Sequence, residues 1–247
     1  MKRRLVAALA CRMEGSRLYG KPLQNLDTQM PVSILAHIAS VLRTLEPIDE
    51  IVLGISEGAA NESFTAFAAQ HGLRFIRGDQ RDVLGRLIAC GQAADATDVF
   101  RVTTESPFCF TEAIDEAWQR HVTLGNDVTV IDEVPDGCHF EIYRLSALLA
   151  SHQRGTERHR SEYCNLFIRE HRGDFQVDVV PVPDEVRRGD LRLTVDYPED
   201  LIVCREVYGH FKAQAPRIPL VQIIRFLDSR PDLTNLTAPY ASSRKIW

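Results

Sequence analysis

A parallel α/β fold is predicted by two features of the chain. Short apolar runs alternate with longer segments of helical period through most of the sequence, the pattern of strands joined by crossover helices. The composition, 45% hydrophobic and 26% charged over 247 residues, supplies enough apolar side chains for a large core covered on both faces.

Strands are expected near 5–10, 51–55, 73–76, 99–102 and 128–131, with helices over 33–45, 61–71, 82–94 and 111–121. The first apolar run follows Lys2-Arg3-Arg4 and imitates a secretory signal. It is shorter than a signal core and leads into Arg12, Glu14 and Arg17, so it reads as a buried strand of a cytoplasmic protein. No other apolar run approaches the length of a membrane span. Beyond Ile131 the rhythm changes: Pro135-Asp136-Gly137 makes a turn, and Phe140-Glu141-Ile142-Tyr143 alternates like a half-buried strand. A helix over 146–151, a charged link over 154–160, a helix over 162–170 and an extended run over 175–181 follow. A last strand over 191–195 enters a helix over 199–211 that Pro198 can start, with Glu199 and Asp200 favouring its dipole. A helix over 222–229 closes a single domain spanning 1–247, in which residues of about 133–182 read as an insertion.

The 29 basic residues are outnumbered by 34 acidic ones, for a net charge of −5, and form no cluster, which excludes a generic nucleic-acid binder. The six cysteines are scattered singly without metal-ligand spacing and read as small core residues kept reduced. Neither the eight histidines nor any G-x-S-x-G elbow supports hydrolase chemistry.

Chemistry concentrates in four segments. Gly15 to Lys21 reads G-x-x-x-x-G-K, the opening of a P-loop, but Pro22 stands where magnesium would need a hydroxyl and pushes Lys21 away from helical angles. Arg12, Arg17 and Lys21 remain together in a glycine-containing loop after the first strand, where open α/β sheets bind ligands. Three cations and free backbone N–H groups suit a triphosphate; a solvated basic loop is the other reading. Arg101 to Phe108 brings Glu105 to the end of one strand, and Leu191 to Leu201 brings Asp196 to the end of another. Two such carboxylates suit a magnesium and nucleotide site, although Asp196 also reads as a capping residue. The fourth segment, Arg77-Gly78 through Asp82 to Arg86, turns from a strand into a helix that Asp79 or Asp82 can cap.

Taken in order with Pro135-Asp136-Gly137 and Glu162, these segments resemble the cytidylyltransferases that activate acidic sugars, the CMP-sialic acid and CMP-Kdo synthetases, and most closely their spore-coat polysaccharide branch. The resemblance implies a three-layer Rossmann-like nucleotidyltransferase fold with a mainly parallel sheet. It implies an insertion after the fifth strand that shapes the acceptor pocket and helps form a homodimer. The implied reaction transfers CMP from CTP to an acidic keto-sugar or related surface-glycan precursor, releases pyrophosphate and uses Mg2+. Arg12 and Lys21 would be catalytic cations. Arg12, Gly15, Ser16, Arg17, Lys21, Arg77, Gly78 and Asp82 would bind nucleotide, Glu105 and Asp196 the metal, and Asp136 and Glu162 the acceptor. Thr104-Glu105 stands where the family usually has Gly-Asp, Tyr19 where it has proline and Glu14 where it has a small residue. Other readings are transfer from GTP to a sugar phosphate, or a catalytically silent nucleotide-binding subunit of a glycan-assembly complex. Neither nucleic acid nor a membrane is an expected partner.

Overall fold

The computed structural model describes residues 2–15, 17–241 and 246–247. Its strands are β1 (Leu5–Cys11), β2 (Asn25–Asp27), β3 (Val32–Ser33), β4 (Ile48–Ser56), β5 (Arg74–Gly78), β6 (Asp98–Arg101), β7 (Val128–Ile131), β8 (Glu141–Arg144) and β9 (Val177–Val180). The helices are α1 (Ile34–Leu42), α2 (Glu62–His71), α3 (Val83–Ala93), α4 (Ile114–Thr123), α5 (Leu145–Arg154), α6 (Glu157–Arg160), α7 (Leu166–Glu170), α8 (Pro198–Phe211), α9 (Leu220–Asp228) and α10 (Pro231–Thr237). Seven strands form one sheet in the order β5-β4-β1-β6-β8-β7-β9, and only β8 runs antiparallel to its neighbours. A small β2-β3 hairpin stands apart.

The run that imitates a signal sequence is the middle strand of the parallel half. Successive β1 side chains point to opposite faces. Leu5, Ala7 and Leu9 enter a core with α1, α2, α4 and α8 to α10, while Val6 and Ala8 enter a second core with α3, α5 and α7. Those two cores make three layers. Asp82 starts α3 by accepting from the Gly85 N–H at 2.7 Å, as a capping carboxylate should.

The segment beyond β7 differs in detail from expectation. The strand read as half-buried is covered on both faces, because β8 inserts between β6 and β7 and lies inside the sheet. The charged link contains the short helix α6, and the helix expected from residue 162 begins at Leu166. No strand forms over 191–195. That stretch makes one bridge, Asp136 to Arg192, because its main chain bonds to loops: Asp136 N donates to the Leu191 carbonyl at 3.0 Å, Leu193 N to the Asp136 carbonyl at 2.7 Å, and Val195 N to the Glu105 carbonyl at 3.0 Å. Of the cysteines, Cys109 is half-buried and the rest are buried; burial pushes the Cys90 thiol up to about 12, which leaves it inert.

At the amino-terminal end of β6, Asp98 is fully buried and accepts from Arg3 Nε at 2.7 Å and from the Thr97 hydroxyl at 2.6 Å, and lies 3.0 Å from His121 Nε2. Burial alone would raise its pKa; bonds from His121, Arg3 and Thr97 outweigh burial and hold the carboxyl below its ordinary value. The stabilisation is therefore complete above the ordinary aspartate range and is lost as pH falls through the depressed value. Asp98→Asn should lower unfolding free energy by about 3 kcal/mol at neutral pH, read from urea denaturation, with a smaller loss in acid. An unchanged midpoint would contradict this assignment.

Candidate functional site

The parallel strands aim their carboxyl ends at one rim, and the loops that leave them carry the polar residues. Arg12 follows β1, Gly78 ends β5, Thr104 and Glu105 follow β6, and Asp136 follows β7. Because β8 runs the other way, its first residue, Glu141, reaches the same rim, in register with Arg101 at the end of β6.

The loop after β1 is shaped around Lys21. A Cβ on Gly15 would sit 2.6 Å from the Leu18 carbonyl oxygen and 3.3 Å from Lys21 Cε, so only glycine lets the lysine stem lie against the loop. Gly20 adopts the left-handed conformation at φ 61 and donates to the Met13 carbonyl at 2.8 Å, closing the loop on itself. Lys21 then opens a single 3-10 turn, Lys21–Leu23, in which Pro22 is tolerated because its missing N–H would have had no partner. The expected disruption by proline thus shortens the element to one turn without removing it.

Lys21 Nζ meets Asp196 Oδ1 at 2.6 Å, and Arg192 Nη2 meets Asp196 Oδ2 at 2.6 Å. Arg17 Nη1 lies 3.8 Å from the same carboxylate; its guanidinium sits 4.9 Å from the centre of the Tyr197 ring and donates to the Tyr197 hydroxyl at 3.2 Å. Burial pushes the Asp196 pKa up, but Lys21, Arg192 and Arg17 outweigh it and hold the group ionised. Arg192, which lies in the same segment and which the sequence pattern does not single out, is the hub. Its side chain is only 6% exposed and also reaches Asp136 at 2.5 Å and Asp200 at 2.8 Å. Asp200, fully buried, accepts from the backbone N–H groups of Asp196 and Tyr197 at 2.8 and 2.9 Å, fixing the turn into α8.

Glu105 joins this group through its main chain, bonded to Val195, while the Thr104 hydroxyl donates to the Ala10 carbonyl at 3.0 Å. Burial raises the Glu105 pKa, Lys21 lowers it and Asp196 raises it, so the net direction is up. Its carboxylate accepts from its own N–H and, at 3.4 Å, from Thr104. An oxygen-only pair of carboxylates, one of them poorly supplied with donors, fits a hard cation such as Mg2+, which takes one or two carboxylates plus substrate phosphates. Among the described residues no cluster of three or more metal-ligating side chains occurs.

Arg12 pairs with Glu162 at 3.0 Å on the exposed side of the rim. Arg77 turns instead to α2, meeting Glu62 at 2.8 Å, and Asp82, besides capping α3, lies 2.6 Å from His152 Nε2. Those side chains are not joined to the Lys21 and Asp196 group. Their turn nevertheless adjoins the β1 loop, since Gln80 donates to Glu14 at 2.6 Å. Ser16 lies outside the described residues.

The chain has relatives among known proteins. A family model described as cytidylyltransferase matches residues 6–225. The chain belongs to the cytidylyltransferase family. It is 27% identical over 226 residues to the spore coat polysaccharide biosynthesis protein SpsF of Bacillus subtilis (strain 168), covering 91% of this chain and 94% of that protein. The fold of this cytidylyltransferase superposes with a TM-score of 0.81 on a cytidylyltransferase from Leptospira borgpetersenii serovar Hardjo-bovis (strain JB197), at 18% identity and 95% and 97% coverage of the two chains. It superposes at 0.63 on CMP:2-keto-3-deoxy-manno-octonic acid synthetase complexed with CTP, at 14% identity, with 84% of this chain and 99% of that one covered.

Removal of Arg192 would leave Asp136, Asp196 and Asp200 facing one another without a cation. Arg192→Met should cost at least about 3 kcal/mol of stability in urea unfolding at neutral pH, and Arg192→Lys should recover only part, since an ammonium lacks the planar fork. Wild-type stability in the Met variant would remove Arg192 from its central place.

Proposed function

We propose that this cytidylyltransferase transfers CMP from CTP to an acidic keto-sugar or related surface-glycan precursor, as one domain over 1–247 acting in a homodimer. The observation that carries the nucleotide part is the meeting of Lys21 and Arg17 with Asp196 at the carboxyl rim, a cationic loop and a carboxylate on one edge. The acidic acceptor is supported by two likenesses, the spore-coat relative and the fold shared with a CMP-keto-acid synthetase.

In the reaction an acceptor hydroxyl oxygen bonds to the α-phosphorus of CTP, the bond to the β-phosphate oxygen breaks, and pyrophosphate and a proton depart. Positioning and charge neutralisation carry such a step, and no protein nucleophile is needed. Lys21 and Arg17 hold the β- and γ-phosphates and offset the charge that grows on the leaving pyrophosphate. Arg12 does the same while keeping its pair, because Glu162 is met through Nη2 at 3.0 Å and the half-exposed guanidinium keeps further N–H donors for phosphate. Glu105 and Asp196 would hold Mg2+, which supplies further neutralisation of phosphate charge. The 78–82 turn offers main-chain groups to the nucleoside, and Asp136 and Glu162 face the acceptor across the rim.

Purified protein with Mg2+, each of CTP, GTP, UTP and ATP in turn, and a panel of keto-sugar acids should release pyrophosphate with CTP. Release only with GTP and a sugar phosphate, or silence with every combination, would overturn the assignment. In the active combination Lys21→Met should lower kcat/KM by about a hundredfold, the size expected for loss of one charge-stabilising group; a change below threefold would exclude Lys21 from the machinery.

A further inference from the structure

The family match ends at residue 225, yet a residue well beyond it is built into the floor of the site. Trp247 is 9% exposed and packs in the core beneath α3 and α5. Its indole Nε1 donates to Glu141 Oε1 at 2.9 Å, and its backbone N–H donates to Asp132 Oδ2 at 2.8 Å. Glu141 is 1% exposed, and its carboxylate gathers donors from several parts of the chain. Besides Trp247, Asn165 Nδ2 donates to Oε1 at 2.9 Å and Arg101 Nη1 to Oε2 at 2.5 Å. Arg101 Nη2 continues to the Glu162 carbonyl at 3.2 Å, and the Glu162 side chain meets Arg12 at 3.0 Å.

We propose that Trp247 is a positioning residue: by completing the donor set of Glu141 it fixes Arg101 and Asn165, and through them holds the 162–165 loop against Arg12. Both ends of that loop hang on one carboxylate, Glu162 by way of Arg101 and Asn165 directly. A buried carboxylate that loses a donor must reorient or find water, and either response shifts the groups it anchors. Asp132 secures Trp247 from a second side, bonding also to the Ile246 N–H at 3.1 Å, so the indole arrives with its orientation set. The same chemistry explains why this position takes tryptophan: the ring fills an apolar layer while one edge carries a hydrogen-bond donor. The consequence for ligand binding rests on the nucleotide reading of Arg12.

Trp247→Phe keeps most of the ring and removes the donor. In native-state hydrogen exchange, amides of residues 161–166 should lose at least tenfold protection in this variant, while α2 changes less than twofold; Trp247→Tyr, which restores a ring-borne donor, should recover part of the loss. Unchanged protection at 161–166, or an equal loss throughout the protein, would overturn the proposal. This measurement needs no ligand and the full chain serves as it is. Calorimetric titration with CTP and Mg2+ should show at least threefold weaker binding in the folded Phe variant, because Arg12 loses its fixed placement. An unchanged Kd would also overturn the proposal, whereas failure of the wild type to bind CTP would defeat the nucleotide reading and leave the exchange result to decide the role of Trp247.

Discussion

One guanidinium gathers the loops of this rim. Arg192 lies between Asp136, Asp196 and Asp200, which come from the turn after β7, the approach to α8 and the first turn of α8. Burying one cation with three carboxylates is costly unless each charge is paired and bonded, and here each is. The pairing sets Asp196 where one oxygen faces Arg192 and the other faces Lys21, so the β1 loop is tied to the end of the chain's last extended run. Without that arrangement the loops would still leave the same edge of the sheet, but nothing would hold a carboxylate opposite the cationic loop.

The sheet was legible because its strands are short apolar runs separated by helices, and β7 appears over the residues expected of it. Lys21 was legible as a cation of the glycine-containing loop after the first strand, and Asp196 as the carboxylate that ends an apolar run. Arg192 was hidden by its own pattern. Within Leu191-Arg192-Leu193-Thr194-Val195 the alternation reads as a strand with Arg192 on a solvated face, whereas the run lies among loops and turns Arg192 inward. Its clue was the spacing of Arg192 from Asp196 and Asp200, which becomes informative only when the main chain between them is known to turn. Arg77 and Asp82 also carry motif positions, and their side chains engage α2, the cap of α3 and His152.

The Thr104-Glu105 pair also changes meaning in three dimensions. A side chain replaces the expected glycine without blocking the rim, because the Thr104 hydroxyl is turned inward to the Ala10 carbonyl and binds the loop to β1. Glu105, one methylene longer than aspartate, remains beside Lys21 and Asp196 in a setting that raises its pKa through burial. Burial is the larger cause, Lys21 opposes it and Asp196 adds to it.

A crystal structure of the protein grown with CTP and Mg2+ tests the role of the Lys21 and Asp196 rim most directly. Phosphate oxygens should lie between Lys21, Arg17 and Arg12, with density for a metal touching both Glu105 and Asp196. A nucleotide bound elsewhere, or bound with the Lys21 to Asp196 contact intact and no metal on either carboxylate, would contradict it.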